Sequence, residues 1–190
     1  FTIGSESQTE TYVVTVAEEA PPVNVATALV AANDDSLFLA GIVTSVLEDG
    51  TFTIEDTDGT AIYIDDRNTS LTWGDLVIAV GDEVYVTGDL NLYNGIKSVD
   101  EVSAVDVKSQ GNAITAPIVI TDLAAFRANL TLGDFAKRYT ISNVTISDSG
   151  YYAYFYDEAG ANRSGIVVSM SVATLPVNHD DIVTFTATLY

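Results

Sequence analysis

Two stretches of this chain, about 100 residues apart, follow the same grammar of short strands and tight turns. In the first, Thr51-Phe52-Thr53-Ile54-Glu55 alternates polar and apolar residues, turns at Asp56-Thr57-Asp58-Gly59, and resumes as Ala61-Ile62-Tyr63-Ile64-Asp65. In the second, Tyr152-Ala153-Tyr154-Phe155-Tyr156 runs into Asp157-Glu158-Ala159-Gly160, and a strand over 165–171 follows. Alternation of period two is the mark of a strand with one buried face, so the chain is read as all-β and as two copies of one small unit.

The elements around each stretch agree. In the first copy Asn24 caps a short helix over 25–32, a long strand over 37–47 contains Gly41 where a barrel strand bends, and Glu48-Asp49-Gly50 turns the chain. After an irregular stretch over 66–80 with Trp73, the pattern resumes at Val84-Tyr85-Val86-Thr87-Gly88; Asn94-Gly95 is a type I′ hairpin signal, and a last strand covers 96–107. A three-strand meander, a variable connection and a final hairpin make a five-stranded Greek-key barrel of the OB type. In the second copy Asp122 caps a helix over 123–129, and a long strand covers 138–147. Asp181-Ile182-Val183-Thr184-Phe185-Thr186 matches Asp82-Glu83-Val84-Tyr85-Val86-Thr87, and Leu189-Tyr190 matches Leu92-Tyr93. The expectation is two tandem OB-like barrels, over 23–112 and 113–190, the second lacking its last strand. Residues 1–22, with the strand-like Thr11-Tyr12-Val13-Val14-Thr15-Val16 before Pro21-Pro22, read as the end strand of an immunoglobulin-like β-sandwich and a stiff linker, as in a piece cut from a longer protein.

Composition narrows the function classes. At 47% apolar and 18% charged residues the chain can build a packed core, and no apolar run reaches the roughly 18–20 residues of a membrane span, so no membrane insertion is expected. Seven Lys and Arg against 27 Asp and Glu give a formal charge of -20, which disfavours polyanions and supplies carboxylates for divalent cations. The absence of Cys removes disulfides, thiolate nucleophiles and thiolate metal ligands.

On Ala40-Gly41-Ile42-Val43-Thr44-Ser45-Val46, Thr51 to Asp56 with Gly59, Val80 to Gly88 and Tyr93-Asn94-Gly95, the chain resembles the tandem OB-fold regions of bacterial secreted nucleases and related multidomain surface proteins. Tyr139 to Val144 and Phe155-Tyr156-Asp157 with Gly160 carry the likeness into the second copy. The resemblance implies an accessory region beside immunoglobulin-like modules and a separate catalytic domain, in an extracellular or cell-surface setting.

Candidate sites are few. If Phe155 is the counterpart of Ile54, alternation gathers Tyr152, Tyr154 and Tyr156 on one face with Arg163 near in sequence; they are read either as a stacking platform for bases or sugar rings, or as packing against a neighbouring barrel or strand. Asp56 and Asp58 can offer oxygen ligands to Ca²⁺, or serve as ordinary turn residues. His179, the sole histidine, reads as a turn residue, no nucleophile elbow or phosphate loop occurs, and no catalytic residue is assigned. Asn68, Asn129, Asn143 and Asn162 stand in N-glycosylation patterns that a Ser- and Thr-rich chain meets by chance. The function expected is a non-catalytic binding or spacer region, with neighbouring domains, another subunit, carbohydrate or single-stranded nucleic acid as partners. The alternative is a structural repeat of an adhesin, stalk or filament whose open barrel is completed by strand addition.

Overall fold

The computed structural model describes residues 20–47, 50–65, 77–148, 153–156, 163–168 and 181–189. The first helix, α1 (Val25–Ala28), opens at Asn24, whose side-chain oxygen accepts a hydrogen bond from the Thr27 amide at 2.9 Å. It is shorter than the expected 25–32. The Leu29 amide still bonds Val25, but the Val30 and Ala31 amides turn to carbonyls three residues back, at 3.2 and 3.1 Å. Val25, Thr27 and Val30 are β-branched and favour the helix little.

Five strands follow: β1 (Ser36–Val46), β2 (Phe52–Glu55), β3 (Ala61–Ile64), β4 (Glu83–Tyr93) and β5 (Ile96–Ser109). They close into a barrel in the order β1-β2-β3-β5-β4 and back to β1, with β3 and β5 parallel and the other pairs antiparallel. This five-stranded Greek-key ring is an OB-type barrel, as the spacing of strands and turns predicts. Its interior holds Leu39, Val43, Phe52, Ile54, Ile62, Ile64, Val84, Val86, Leu90 and Val99, all fully buried, and Val25 and Ala28 of α1 join them. Each buried Val, Leu, Ile or Phe among them contributes roughly 1.5–3 kcal/mol by leaving water. Gly41 has a steric role beyond bending the strand: a Cβ there would lie 2.9 Å from the Cβ of Ile54. At the expected hairpin, Asn94 and Gly95 both take positive φ, 52° and 85°.

The second unit contains β6 (Ile118–Ile120), α2 (Leu123–Asn129), a 3-10 turn (Leu132–Asp134), β7 (Arg138–Asp148), β8 (Ala153–Tyr156), β9 (Arg163–Val168) and β10 (Ile182–Thr188). These strands form a second small sheet in the order β10-β7-β8-β9, with β6 added parallel to β7. The helix spans the predicted residues, and Asp122 accepts from the Ala125 amide at 2.8 Å, as Asn24 does for α1. Tyr139, Ile141, Val144, Ile146 and Leu123 form its core, with the Phe126 ring tilted against that of Tyr139, their centres 4.8 Å apart. Residues 1–19, where the immunoglobulin-like strand is expected, lie outside the described residues.

The two units share more than strand order. Val23 bridges Leu39 in parallel and Leu39 faces Val86; likewise Ile120 faces Ile141 in parallel and Ile141 faces Phe185. Both connections enter through an extended segment, a capped helix and a long strand.

Every residue of β2 and β3 is buried, on both faces. Phe52, Ile54, Ile62 and Ile64 fill the barrel, while the outer Ala61 and Tyr63 pack with Ala136, Phe135 and Ile96. At the hairpin, a Cβ on Gly95 would lie 2.6 Å from Leu132 Cδ1. The segment around 132–136 thus covers the outer face of β2 and β3 and the β4–β5 turn.

Candidate ligand-binding face

The pairing of β8 locates the predicted tyrosines. Phe155 stands opposite the buried Ile146, as Ile54 stands opposite the buried Val43, so the counterpart relation assumed from the sequence is present in the backbone register. Tyr154 and Tyr156 pair with Ser147 and Thr145, and Arg163 is the partner of Tyr156 across β8 and β9. In the first barrel the corresponding positions belong to Thr53, Glu55 and Ala61, since Glu55 pairs with Ala61 and Thr53 with Ser45. The register therefore brings Tyr154, Tyr156 and Arg163 together on one strand pair. Tyr152 and His179 lie outside the described residues.

Asp56 and Asp58 share the β2–β3 turn but are differently employed. Asp56 receives the Val25 amide on one carboxylate oxygen and the Ala26 amide on the other, both at 2.9 Å. An anion there complements the amide end of α1, and Lys97 donates to the carbonyls of Leu29 and Ala31 at 2.7 and 2.8 Å just past the other end. Asp58 is a turn carboxylate: the Thr60 amide donates to it at 2.9 Å, and hydrogen bonds from Thr60 hold its pKa below the usual carboxylate value. Among the described residues no three His, Asp or Glu side chains gather to hold a metal ion.

Two features escape sequence reading. Glu55, a polar residue of the alternating stretch 51–55, is 5% exposed and receives the amide and hydroxyl of Thr115 on its two carboxylate oxygens, at 2.6 and 2.9 Å. Arg138 in turn donates from Nη2 to the Thr115 carbonyl. Nothing local in the sequence announces a contact sixty residues away. The second is a groove of about 260 Å³ on the outside of the first barrel, where Pro21 and Pro22 approach Phe38 and Tyr85. There Phe38 meets Tyr85 edge to face at 5.6 Å, and Lys108 Nζ lies 4.8 Å from the Tyr85 ring centre. Period-two alternation could have flagged Phe38 and Tyr85 as outward aromatics on neighbouring strands.

No protein-family model matches the chain, and no curated protein matches it. A solved structure similar to it is that of the hypothetical protein ygiW from E. coli, 19% identical with a TM-score of 0.40, over 47% of this chain and 91% of that one. Among the described residues no helix is long and apolar enough to cross a membrane.

Proposed function

We propose that the chain is a non-catalytic binding and spacer region of a larger secreted or cell-surface protein, built from two copies of an OB-type barrel and following an immunoglobulin-like module. In this reading it assists a separate, nuclease-type catalytic domain. The observation that carries it is the register match between the units, which puts Tyr154, Tyr156 and Arg163 at the positions of Thr53, Glu55 and Ala61.

OB barrels take oligonucleotides and oligosaccharides on the face of strands 2 and 3 and on the loops beside it. In the first barrel that face is covered by Phe135 and Ala136, and its β4–β5 turn by Leu132. The equivalent β8–β9 positions carry two tyrosines and an arginine instead of Thr, Glu and Ala, a set suited to stacking on a base or a sugar ring. With a chain charge of -20, a neutral oligosaccharide is favoured over a nucleic acid, whose phosphates the acidic surface repels.

Titration of neutral oligosaccharides and of single-stranded oligonucleotides at low salt tests the reading. Saturable binding that Tyr154→Ala weakens about tenfold or more is expected, given roughly 1–3 kcal/mol per stacked ring. No binding of either class, or binding indifferent to Tyr154→Ala and Tyr156→Ala, sinks it.

A further inference from the structure

The groove on the outer wall of the first barrel has a floor of small side chains and walls of larger ones. β4 runs between β1 and β5 there. Tyr85 stands opposite Ala40 on one side and Asp106 on the other, and Thr87 stands opposite Phe38 and Ala104. Side chains at facing positions of neighbouring strands lie side by side, so the short Thr87 and Ala104 leave a depression beside Phe38, Tyr85 and Lys108. Pro21 and Pro22 bound it from the segment before α1.

The lining joins two kinds of surface. Phe38 and Tyr85, edge to face at 5.6 Å, supply ring and C–H surface together with the two prolines. Asp106 and Lys108 lie 3.2 Å apart on the rim, so an acceptor with two oxygens adjoins a donor with three hydrogens. Their charges cancel. With side-chain exposures of 68% and 39%, both can exchange water for a ligand without deep burial of charge.

Size and charge select the ligand. A volume of about 260 Å³ falls short of the roughly 300–1,000 Å³ that hold drug-sized molecules, so the groove admits one ring rather than a length of peptide. A cation meets the Lys108 ammonium, which already lies 4.8 Å from the Tyr85 ring centre. An anion meets Asp106 and the chain charge of -20. A neutral ring with an apolar face and adjacent hydroxyls suits both surfaces.

We propose that this groove binds one pyranose unit of a neutral glycan, with its C–H face against Phe38 and Tyr85 and two adjacent hydroxyls on Asp106 and Lys108. The site is built from β1, β4 and β5. It needs neither the two-copy reading nor Tyr154 and Tyr156.

The test is saturation-transfer NMR of the whole chain with the methyl glycosides of glucose, galactose, mannose and N-acetylglucosamine, which reads weak binding directly. At least one glycoside is expected to give saturable transfer. Ala104→Leu fills the depression and should abolish it, while Asp106→Ala should weaken it about tenfold, the scale of one hydrogen bond to a charged group. Both positions are exposed, so denaturation midpoints should hold in the two variants, and Tyr154→Ala should leave this binding unchanged.

No transfer to any of the four glycosides overturns the proposal, whatever is found at β8 and β9. Transfer that survives Ala104→Leu and Asp106→Ala but falls with Tyr154→Ala belongs to the β8–β9 face; it overturns the site proposed here and supports the function proposed above. Transfer indifferent to all three variants also overturns it. Shifts of the Phe38 and Tyr85 ring signals with decaproline, and with none of the glycosides, assign the groove to a proline-rich peptide and overturn the ligand named here.

Discussion

Glu55 and Thr115 are joined twice, through the Thr115 amide at 2.6 Å and its hydroxyl at 2.9 Å, and the carboxylate that makes both bonds is 5% exposed. The contact ties the first barrel to the segment leading into the second unit, and Arg138 extends it by donating to the Thr115 carbonyl. Glu55→Ala leaves the Thr115 groups without their acceptor. It is expected to cost about 1–3 kcal/mol in chemical denaturation and to speed proteolysis of the 112–117 connection, with Glu55→Gln milder on both measures.

Gly88 is required by space. A Cβ there would lie 2.7 Å from Val99 Cγ1 and 2.8 Å from the Asp100 carbonyl oxygen, and backbone cannot step aside as a side chain can. Gly88→Ala should destabilise the barrel by about 1–3 kcal/mol in denaturant melts. Gly111 has φ +70 and nothing within 4 Å of the place a methyl would take, so Gly111→Ala should cost only the left-handed backbone strain, about 1 kcal/mol.

Asp56 and Lys97 hold α1 from opposite ends, a short helix with no length to stabilise itself. Asp56→Ala should lower stability by about 1 kcal/mol, and Asp56→Asn by less, since one acceptor oxygen survives. Amide exchange at Val25 and Ala26 should rise in both variants. Undiminished protection there would show that the carboxylate does not hold the helix.

Asp134 and Tyr139 give the stability a pH signature at both extremes. Burial works against the charge of Asp134, but hydrogen bonds from the Thr131 hydroxyl and amide and from the Tyr139 hydroxyl hold its pKa below the usual value. Its contribution is therefore present above the unfolded carboxylate pKa of about 3.9 and lost as pH falls through the lower folded value. Burial first, and the Asp134 charge second, push the Tyr139 pKa well above 10, so its contribution is full below about pH 10 and is lost as pH rises beyond. Asp134→Asn should flatten the acid limb of a stability profile and shrink the alkaline one, and Tyr139→Phe should remove the alkaline limb and shrink the acid one, because each group helps set the pKa of the other.

Glu101 takes φ 47° where the β4–β5 register shifts, and its side chain is exposed. Glu101→Gly should raise stability by up to about 1 kcal/mol, because glycine adopts that backbone without a Cβ clash. A lower denaturation midpoint in the variant would mean that the glutamate makes a compensating contact.

The candidate face was legible in part. Phe155 could be matched to Ile54 because both follow the same spacing to an acidic turn, and that match predicts which residues share a strand face with Tyr156. That Arg163 stands opposite Tyr156 was not legible, because β9 begins at Arg163 and not at the expected residue 165. Tolerance at strand ends depends on partner strands, and a β8–β9 register shift adds to it.

What the sequence determined by itself is local. Alternation of period two, the Asn94-Gly95 turn and the Asn24 and Asp122 caps all depend on backbone preferences within a few residues, and they place strands, turns and helix starts along the chain. The tertiary structure decided what lies on the far side of each strand. β2 and β3 carry Thr53, Glu55, Ala61 and Tyr63 on the face that alternation assigns to solvent, yet that face is buried, because Phe135, Ala136 and Thr115 are brought to it from far along the chain. A polar residue accepts such burial only when a partner arrives to bond it, and the arrival of that partner is a property of the folded chain and not of its neighbours in sequence.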